Sequence, residues 1–223
     1  MSDFEREIRK LYEQIRSAVE ERINSFQSVW ERGDDGELLC ELFFCLLTPA
    51  ARARSAWQAL NSMKEKGLIL CEEPCVDQDN RYQRIADELA LVRFRNNKAR
   101  NILEAEQRFM TDGKPSIRSR LIRFSSAFEM REWLAGTVRG MGYKEASHFL
   151  RNVGKGSGIA VLDRHILRNL ILFGIIEKMP DGITRKRYLQ IEELMRGLAR
   201  RIGIPLHHLD LVLWYRETGE IFK

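Results

Sequence analysis

Arg139-Gly140-Met141-Gly142-Tyr143-Lys144-Glu145-Ala146-Ser147-His148-Phe149-Leu150 is the stretch on which the reading of this 223-residue chain turns. Two glycines one residue apart separate two amphipathic segments, so it reads as helix, tight hairpin, helix. Glycine permits positive φ in such a hairpin and lets another backbone come close. The peptide N–H groups of the turn and of the next helix N-terminus make an anion site suited to a DNA phosphate. A bare Gly-x-Gly is also met in plain helix–helix connections. Lys144 lies in the first turn of the second helix, where the macrodipole is positive and a cation is misplaced. With some burial, that position favours the neutral amine, which is a nucleophile. A solvated surface lysine is the plain alternative.

Working outward, the pattern is helical nearly throughout. Phe4, Ile8, Leu11, Ile15, Val19, Ile23 and Phe26 recur every three or four residues on one face of a long first helix. Ser2 and Glu5 have capping-box spacing at its start. Gly33 to Gly36 breaks the pattern. Glu37 to Leu47 then reads as a helix buried on nearly every side. Thr48-Pro49 offers an N-cap and a proline at the first position of a helix reaching Lys66, with a stop at Gly67. Residues 68–80 read as loop, followed by helices over 81–91 and 97–111, the latter ended by Gly113-Lys114-Pro115. Further helices are expected near 116–124 and 126–138, the later one with a capping box at Ser126 and Glu129. After the hairpin come a helix from Tyr143 to about Val153, a flexible break at Gly154 to Gly158, and a helix from Asp163 to Phe173. The last two helices are expected over 183–201 and 206–217. No strand alternation and no repeat appears. The expected fold class is all-α.

Composition narrows the function classes. Lys plus Arg number 37 against 32 Asp plus Glu, a net charge of +5, which suits a nucleic-acid partner without requiring one. With 44% hydrophobic residues, wholesale disorder is excluded. The most apolar run, Leu38 to Leu47, contains Glu41 and falls far short of the ~20 residues of a membrane span. The first residues, Met1-Ser2-Asp3-Phe4-Glu5, do not form a signal peptide. Cys40, Cys45, Cys71 and Cys75 read as reduced thiols of a cytosolic protein; C-E-E-P-C from Cys71 to Cys75 is a weak metal signal without a second cluster.

A second element, Val161-Leu162-Asp163-Arg164-His165-Ile166-Leu167-Arg168, puts a carboxylate at a helix start. N-capping alone would explain Asp163. A rigidly held N-cap carboxylate is also well placed to stabilise a developing positive charge.

Together the two stretches resemble the helix-hairpin-helix DNA glycosylase superfamily, in which a lysine follows the hairpin as G-x-G-x-K and an aspartate lies a little under twenty residues downstream. Here Lys144 and Asp163 are 19 positions apart. The detail is closest to the type 2 prokaryotic 8-oxoguanine DNA glycosylase/lyases. The supporting runs are Leu46-Leu47-Thr48-Pro49, Val92 to Arg100, Gly142 to Asn152, Leu162 to Leu167, and Leu209 to the terminal Lys223. Two departures are plain. No cysteine follows Cys75, so the iron–sulfur cluster of some superfamily members is not expected. The proline that often precedes the aspartate is replaced by Leu162.

The resemblance implies two helical subdomains, an inserted bundle over 37–155 ending in the hairpin and a second built from 1–36 plus 156–223, with the lesion pocket between them. It implies a monomeric cytoplasmic (nucleoid) enzyme acting on double-stranded DNA that contains 8-oxoguanine or abasic sites, with no membrane role, no metal and no cofactor. Lys144 would attack C1′ of the flipped nucleotide and Asp163 would stabilise the cationic sugar. β-Elimination from the resulting imine would cut the strand. Gly140 and Gly142 would meet the DNA backbone. Phe94 and Trp214 look like an aromatic pair that sandwiches a flipped purine. Asp210 shares a helix face with Trp214, and Lys223 ends the chain close to that ring. Both are therefore candidates for base recognition, the terminus as a hydrogen-bond acceptor for the N7–H of 8-oxoguanine. His148 and His165 read as structural or phosphate-contacting, and Arg93, Arg95, Lys98 and Arg100 equally as DNA contacts or a solvated helix face. The rivals are a non-catalytic helix-hairpin-helix DNA-binding module and a glycosylase for another damaged base.

Overall fold

The computed structural model describes residues 2–70 and 78–222. Among them the chain is all-α, as expected, apart from one very short hairpin. Helix α1 (Asp3–Arg32) opens with a complete capping box: Ser2 Oγ accepts the Glu5 N–H at 3.2 Å and Glu5 accepts the Ser2 N–H at 2.8 Å. Helix α2 (Asp35–Leu47) is buried from Leu38 to Leu47 on every side, which is why its sequence lacks an amphipathic period. Around it stand α3 (Ala53–Glu65), α4 (Gln78–Glu88), α5 (Arg95–Phe109), α6 (Ile117–Leu121), α7 (Ala127–Thr137) and α8 (Tyr143–Asn152). Of helices α9 (Arg164–Leu172), α10 (Arg185–Ile202) and α11 (Leu206–Thr218), the last two pack with α1, and α9 packs on α11.

The buried apolar side chains form two clusters. One gathers α2 to α8 around Phe43, Phe44, Phe109 and Phe149. The other joins Ile8, Val19 and Phe26 of α1 to Ile166, Tyr188, Met195 and Leu209. Helix α1 serves both, since Val29 near its end belongs to the first cluster.

Several boundaries differ from the sequence reading, each for a local reason. Thr48 does not begin a helix. It is the C-cap of α2, its hydroxyl donating back to the Cys45 carbonyl at 2.9 Å, and Ala50 at φ 51° completes a turn before α3 starts at Ala53. Helix α5 ends at Phe109 because Met110–Thr111 (β1) pairs antiparallel with Lys114–Pro115 (β2). Between them Asp112 and Gly113 have φ values of 51° and 74°, the left-handed pair of a type I′ hairpin that Asp-Gly signals. The capping box at Ser126 is half formed: Ser126 accepts the Glu129 N–H, while Glu129 turns instead to the N–H and hydroxyl of Ser125. The break at Gly154 is a close contact and not a slack one. Its φ is +70°, and a Cβ there would stand 2.5 Å from Gln27 Cα, so glycine is what lets the end of α8 lie against α1.

Candidate functional site

The hairpin after α7 turns on one glycine in the left-handed region. Gly140 has φ +79°, and a Cβ on it would come within 2.0 Å of the Asn101 amide. Gly142 makes no use of the positive φ that glycine permits. Its φ of −92° and ψ of −172° suit any residue, and its N–H already donates to the Glu145 carboxylate at 3.2 Å. One of the amides expected to face a phosphate is thus engaged in capping α8.

Lys144 follows in the first turn of α8, its side chain 23% exposed. Its Nζ donates to Thr48 Oγ1 at 3.2 Å and lies 3.6 Å from the Glu145 carboxylate. Asp163 caps α9, with Oδ1 accepting the Ile166 N–H at 2.9 Å. The two residues come from helix N-termini in different parts of the chain, and both line one cavity of about 770 Å³. That volume lies within the range of pockets that enclose small organic ligands. Thr48, Arg93, His148, His165, Trp214 and Phe222 share the wall.

A buried polar network fixes the two helix starts relative to each other. The Tyr188 hydroxyl donates to the Ala160 carbonyl at 2.7 Å and accepts the N–H of Leu162, next to Asp163, at 3.2 Å. It also lies 3.2 Å from Ser147 Oγ, one turn along α8 from Lys144. Arg131, 1% exposed, forms a two-bond pair with Glu192 at 2.6 and 3.0 Å and reaches Ser147 at 3.2 Å. Glu192 also accepts the Ala160 N–H at 2.8 Å. A buried pair of this kind is held by satisfied geometry, since desolvation alone opposes it. Burial raises the Tyr188 phenol far above its ordinary range, so it remains protonated.

The other expected residues divide. Trp214 is at the cavity, with the His165 ring packed edge-on at 4.7 Å and His165 Nδ1 4.0 Å from Glu217. Phe94 is not among the wall residues. It has φ 62°, is 55% exposed beside the cavity residue Arg93, and carries the Arg93 guanidinium 4.8 Å from its ring centre. Asp210 is buried behind the wall, one oxygen accepting from Arg151 at 3.2 Å and the other without a hydrogen-bond partner among the described residues. Burial raises its carboxyl above the usual range, opposed by Arg151. Lys223 lies outside the described residues, as do Cys71 and Cys75. Cys40 and Cys45 are buried thiols, and burial pushes Cys45 up. No cluster of three or more metal-ligating side chains occurs among the described residues.

The basic run from Arg93 to Arg100 does not form one surface. Arg93, Arg95 and Arg100 are exposed, but Lys98 is neither a solvated residue nor free to meet DNA: it is 4% exposed and bonds two backbone carbonyls. Its position was readable, because Lys98, Ile102, Ala105 and Phe109 follow one apolar stripe at helical spacing. Arg131, with Leu134 and Val138 at matching spacing, carried the same signal. Tyr188 had none, and Thr48 and Phe222 had only their place in the family-like runs, because each acts through a residue distant in sequence.

Comparison with known proteins points in one direction. Residues 19–204 match a family model described as 8-oxoguanine DNA glycosylase. The chain is 40% identical over 222 residues to the 8-oxoguanine DNA glycosylase/AP lyase of Fusobacterium nucleatum, covering 100% of this chain and 99% of the relative. It is 38% identical to the protein of the same name from Korarchaeum cryptofilum, over 94% of this chain and 92% of that one. The crystal structure of the 8-oxoguanine DNA glycosylase of Thermotoga maritima superposes with a TM-score of 0.81 at 30% identity, covering 98% of both chains. The Methanocaldococcus jannaschii glycosylase/lyase, solved with a 15-mer DNA containing 8-oxoguanine, superposes with a TM-score of 0.82 at 29% identity, over 96% of this chain and 99% of that one.

Proposed function

The chain belongs to the 8-oxoguanine DNA glycosylase family, and from that membership and the cleft we infer that it excises 8-oxoguanine from double-stranded DNA and cleaves the abasic strand, with Lys144 as nucleophile and Asp163 as its electrostatic partner. The observation that carries the residue assignment is that both side chains line one cavity from two separate helix starts. A non-catalytic binding module gives no reason for that convergence.

In this reading the damaged nucleotide rotates into the cavity. The Lys144 amine attacks C1′, and the glycosidic electron pair leaves with the base. Positive charge grows on the sugar in that transition state, and the Asp163 carboxylate, held by its cap bond, stabilises it without reorganising. The new C1′–N ammonium gives a proton to the departed base, and the nitrogen lone pair then breaks the C1′–O4′ bond as O4′ takes up a proton, leaving a protonated imine. Removal of a C2′ proton then expels the 3′ phosphate. These steps call on no metal or organic cofactor. Trp214, with Phe94 on the adjoining loop, supplies stacking surface for the base; Asp210, behind the wall, and Lys223 are further recognition candidates. Gly140 and Gly142 present the hairpin backbone to DNA phosphate. We place the subdomain division at 37–155 against 1–36 plus 156–223; the two apolar clusters support it in outline, with Val29 and Ile159 joining the first. No helix among the described residues is long and apolar enough to cross a membrane. We place the protein, as a monomer, on DNA in the cytoplasm.

Borohydride trapping on 8-oxoguanine duplex DNA tests the assignment. The parental chain should form a covalent complex, and Lys144→Gln should bind the same duplex yet give none. Undiminished trapping by that variant removes Lys144 as the nucleophile, and no trapping by the parental chain removes the lyase reading.

A further inference from the structure

The corner that ends α2 holds a second lysine for which the scheme above has no use. Lys98 Nζ donates to the Leu47 carbonyl at 2.8 Å and to the Pro49 carbonyl at 2.7 Å. Those carbonyls flank Thr48 on either side. An ammonium 4% exposed is costly in a protein interior. The carbonyl end of α2, where the helix dipole is negative, offsets part of that cost. Burial first, then the nearby Lys144 side chain, pull the Lys98 pKa down to about 8. A purely space-filling role would be met more cheaply by an apolar side chain of similar length.

Thr48 links this lysine to the nucleophile. Its single hydroxyl proton goes to the Cys45 carbonyl at 2.9 Å, so toward Lys144 Nζ at 3.2 Å the oxygen can only accept. An amine with one N–H tied to Thr48 has its position set and its lone pair turned away from that oxygen.

We propose that Lys98 and Thr48 form a positioning relay, in which Lys98 clamps the carbonyls on both sides of Thr48 so that the Thr48 hydroxyl holds and orients the Lys144 amine. Neither residue touches the sugar. Both act through Lys144, and the proposal rests on its assignment as nucleophile. A nucleophile misplaced by a fraction of its reach loses rate while the DNA surface stays intact.

The test is a double-mutant cycle on the full chain, read by single-turnover excision at saturating enzyme, by binding to 8-oxoguanine duplex and by thermal melting. Thr48→Val, which keeps shape and removes the hydroxyl, should slow excision about 10–100-fold with binding changed by no more than about twofold. Thr48→Ser should restore most of the rate. Lys98→Met should slow excision comparably in the parental chain, yet add no more than about twofold in the Thr48→Val background, as expected when two residues act as one unit. Parental excision by Thr48→Val overturns the relay, and so does multiplication of the two single effects. Should Lys98→Met fail to fold, the Val and Ser substitutions at Thr48 decide alone. Failure of the Lys144 assignment shows separately, as trapping by Lys144→Gln.

Discussion

Asp163→Asn separates a catalytic carboxylate from a helix cap. The structural side is set by one bond, Oδ1 accepting the Ile166 N–H at 2.9 Å. Asparagine offers the same oxygen and caps about as well as aspartate. What the fold loses is charge at the α9 N-terminus, worth about 0.3–1 kcal/mol. Part of that returns, because Asp163 raises the buried Asp210 carboxyl through like-charge repulsion and the substitution removes this term. The net change is therefore below about 1 kcal/mol, or at most ~2–4 °C in Tm for a chain of this size. The catalytic side is larger. Loss of one preorganised electrostatic group facing a developing charge commonly costs about 10²–10³ in rate, equivalent to ~2.7–4 kcal/mol. Single-turnover excision on an 8-oxoguanine duplex should thus fall by that factor, while fluorescence anisotropy with the same duplex shows little change in Kd. A variant that melts several degrees lower yet excises at the parental rate would show Asp163 to be a cap and nothing more.

Three further outcomes follow from other parts of the molecule. Tyr188→Phe strands the Leu162 N–H and the Ala160 carbonyl, at about 1–3 kcal/mol per buried group, so calorimetry should show a clear loss of stability and excision should slow as Asp163 loses its support; unchanged melting would mean that solvent or other groups replace the hydroxyl. Gly154→Ala places a Cβ against the Gln27 backbone at φ +70° and should cost about 2–4 kcal/mol, seen as a drop in the urea midpoint; a neutral outcome would show that α1 and α8 slide freely. His208, half of a 2.9 Å pair with Tyr12, is held neutral by burial, with a pKa lowered to about 4. The unfolded chain therefore binds the extra proton between about pH 6.5 and 4, and stability should fall as pH drops through that window by up to ~3 kcal/mol. His208→Gln should flatten this part of the urea-midpoint profile, and an unchanged slope would assign it to other groups.

Local chemistry made most of the helices legible in advance. Capping at Ser2 and Asp163, the apolar face of α1 and the unbroken burial of α2 depend on neighbours within a few residues, and sequence records such neighbours directly. The same is true of Lys144 in the first turn after the hairpin and of its spacing to Asp163, which identified the catalytic candidates without coordinates. The misread boundary at Thr48 has the opposite origin. Threonine before proline suits a helix start by local propensity, but here its side chain is spent on the end of α2 and on a lysine 96 positions away.

What sequence alone determined was the set of helices, the hairpin and the pair of residues proposed to carry the chemistry. Tertiary structure decided which polar groups would be buried and beside what. It put Lys98 under the Thr48 corner, tied Arg131 to Glu192 across two helices, drew Asp210 behind the cavity wall and left Phe94 outside it. Spacing could mark Lys98 and Arg131 as buried but could not supply their partners, because burying a charge is favourable only when distant parts of the chain bring it the groups that replace water.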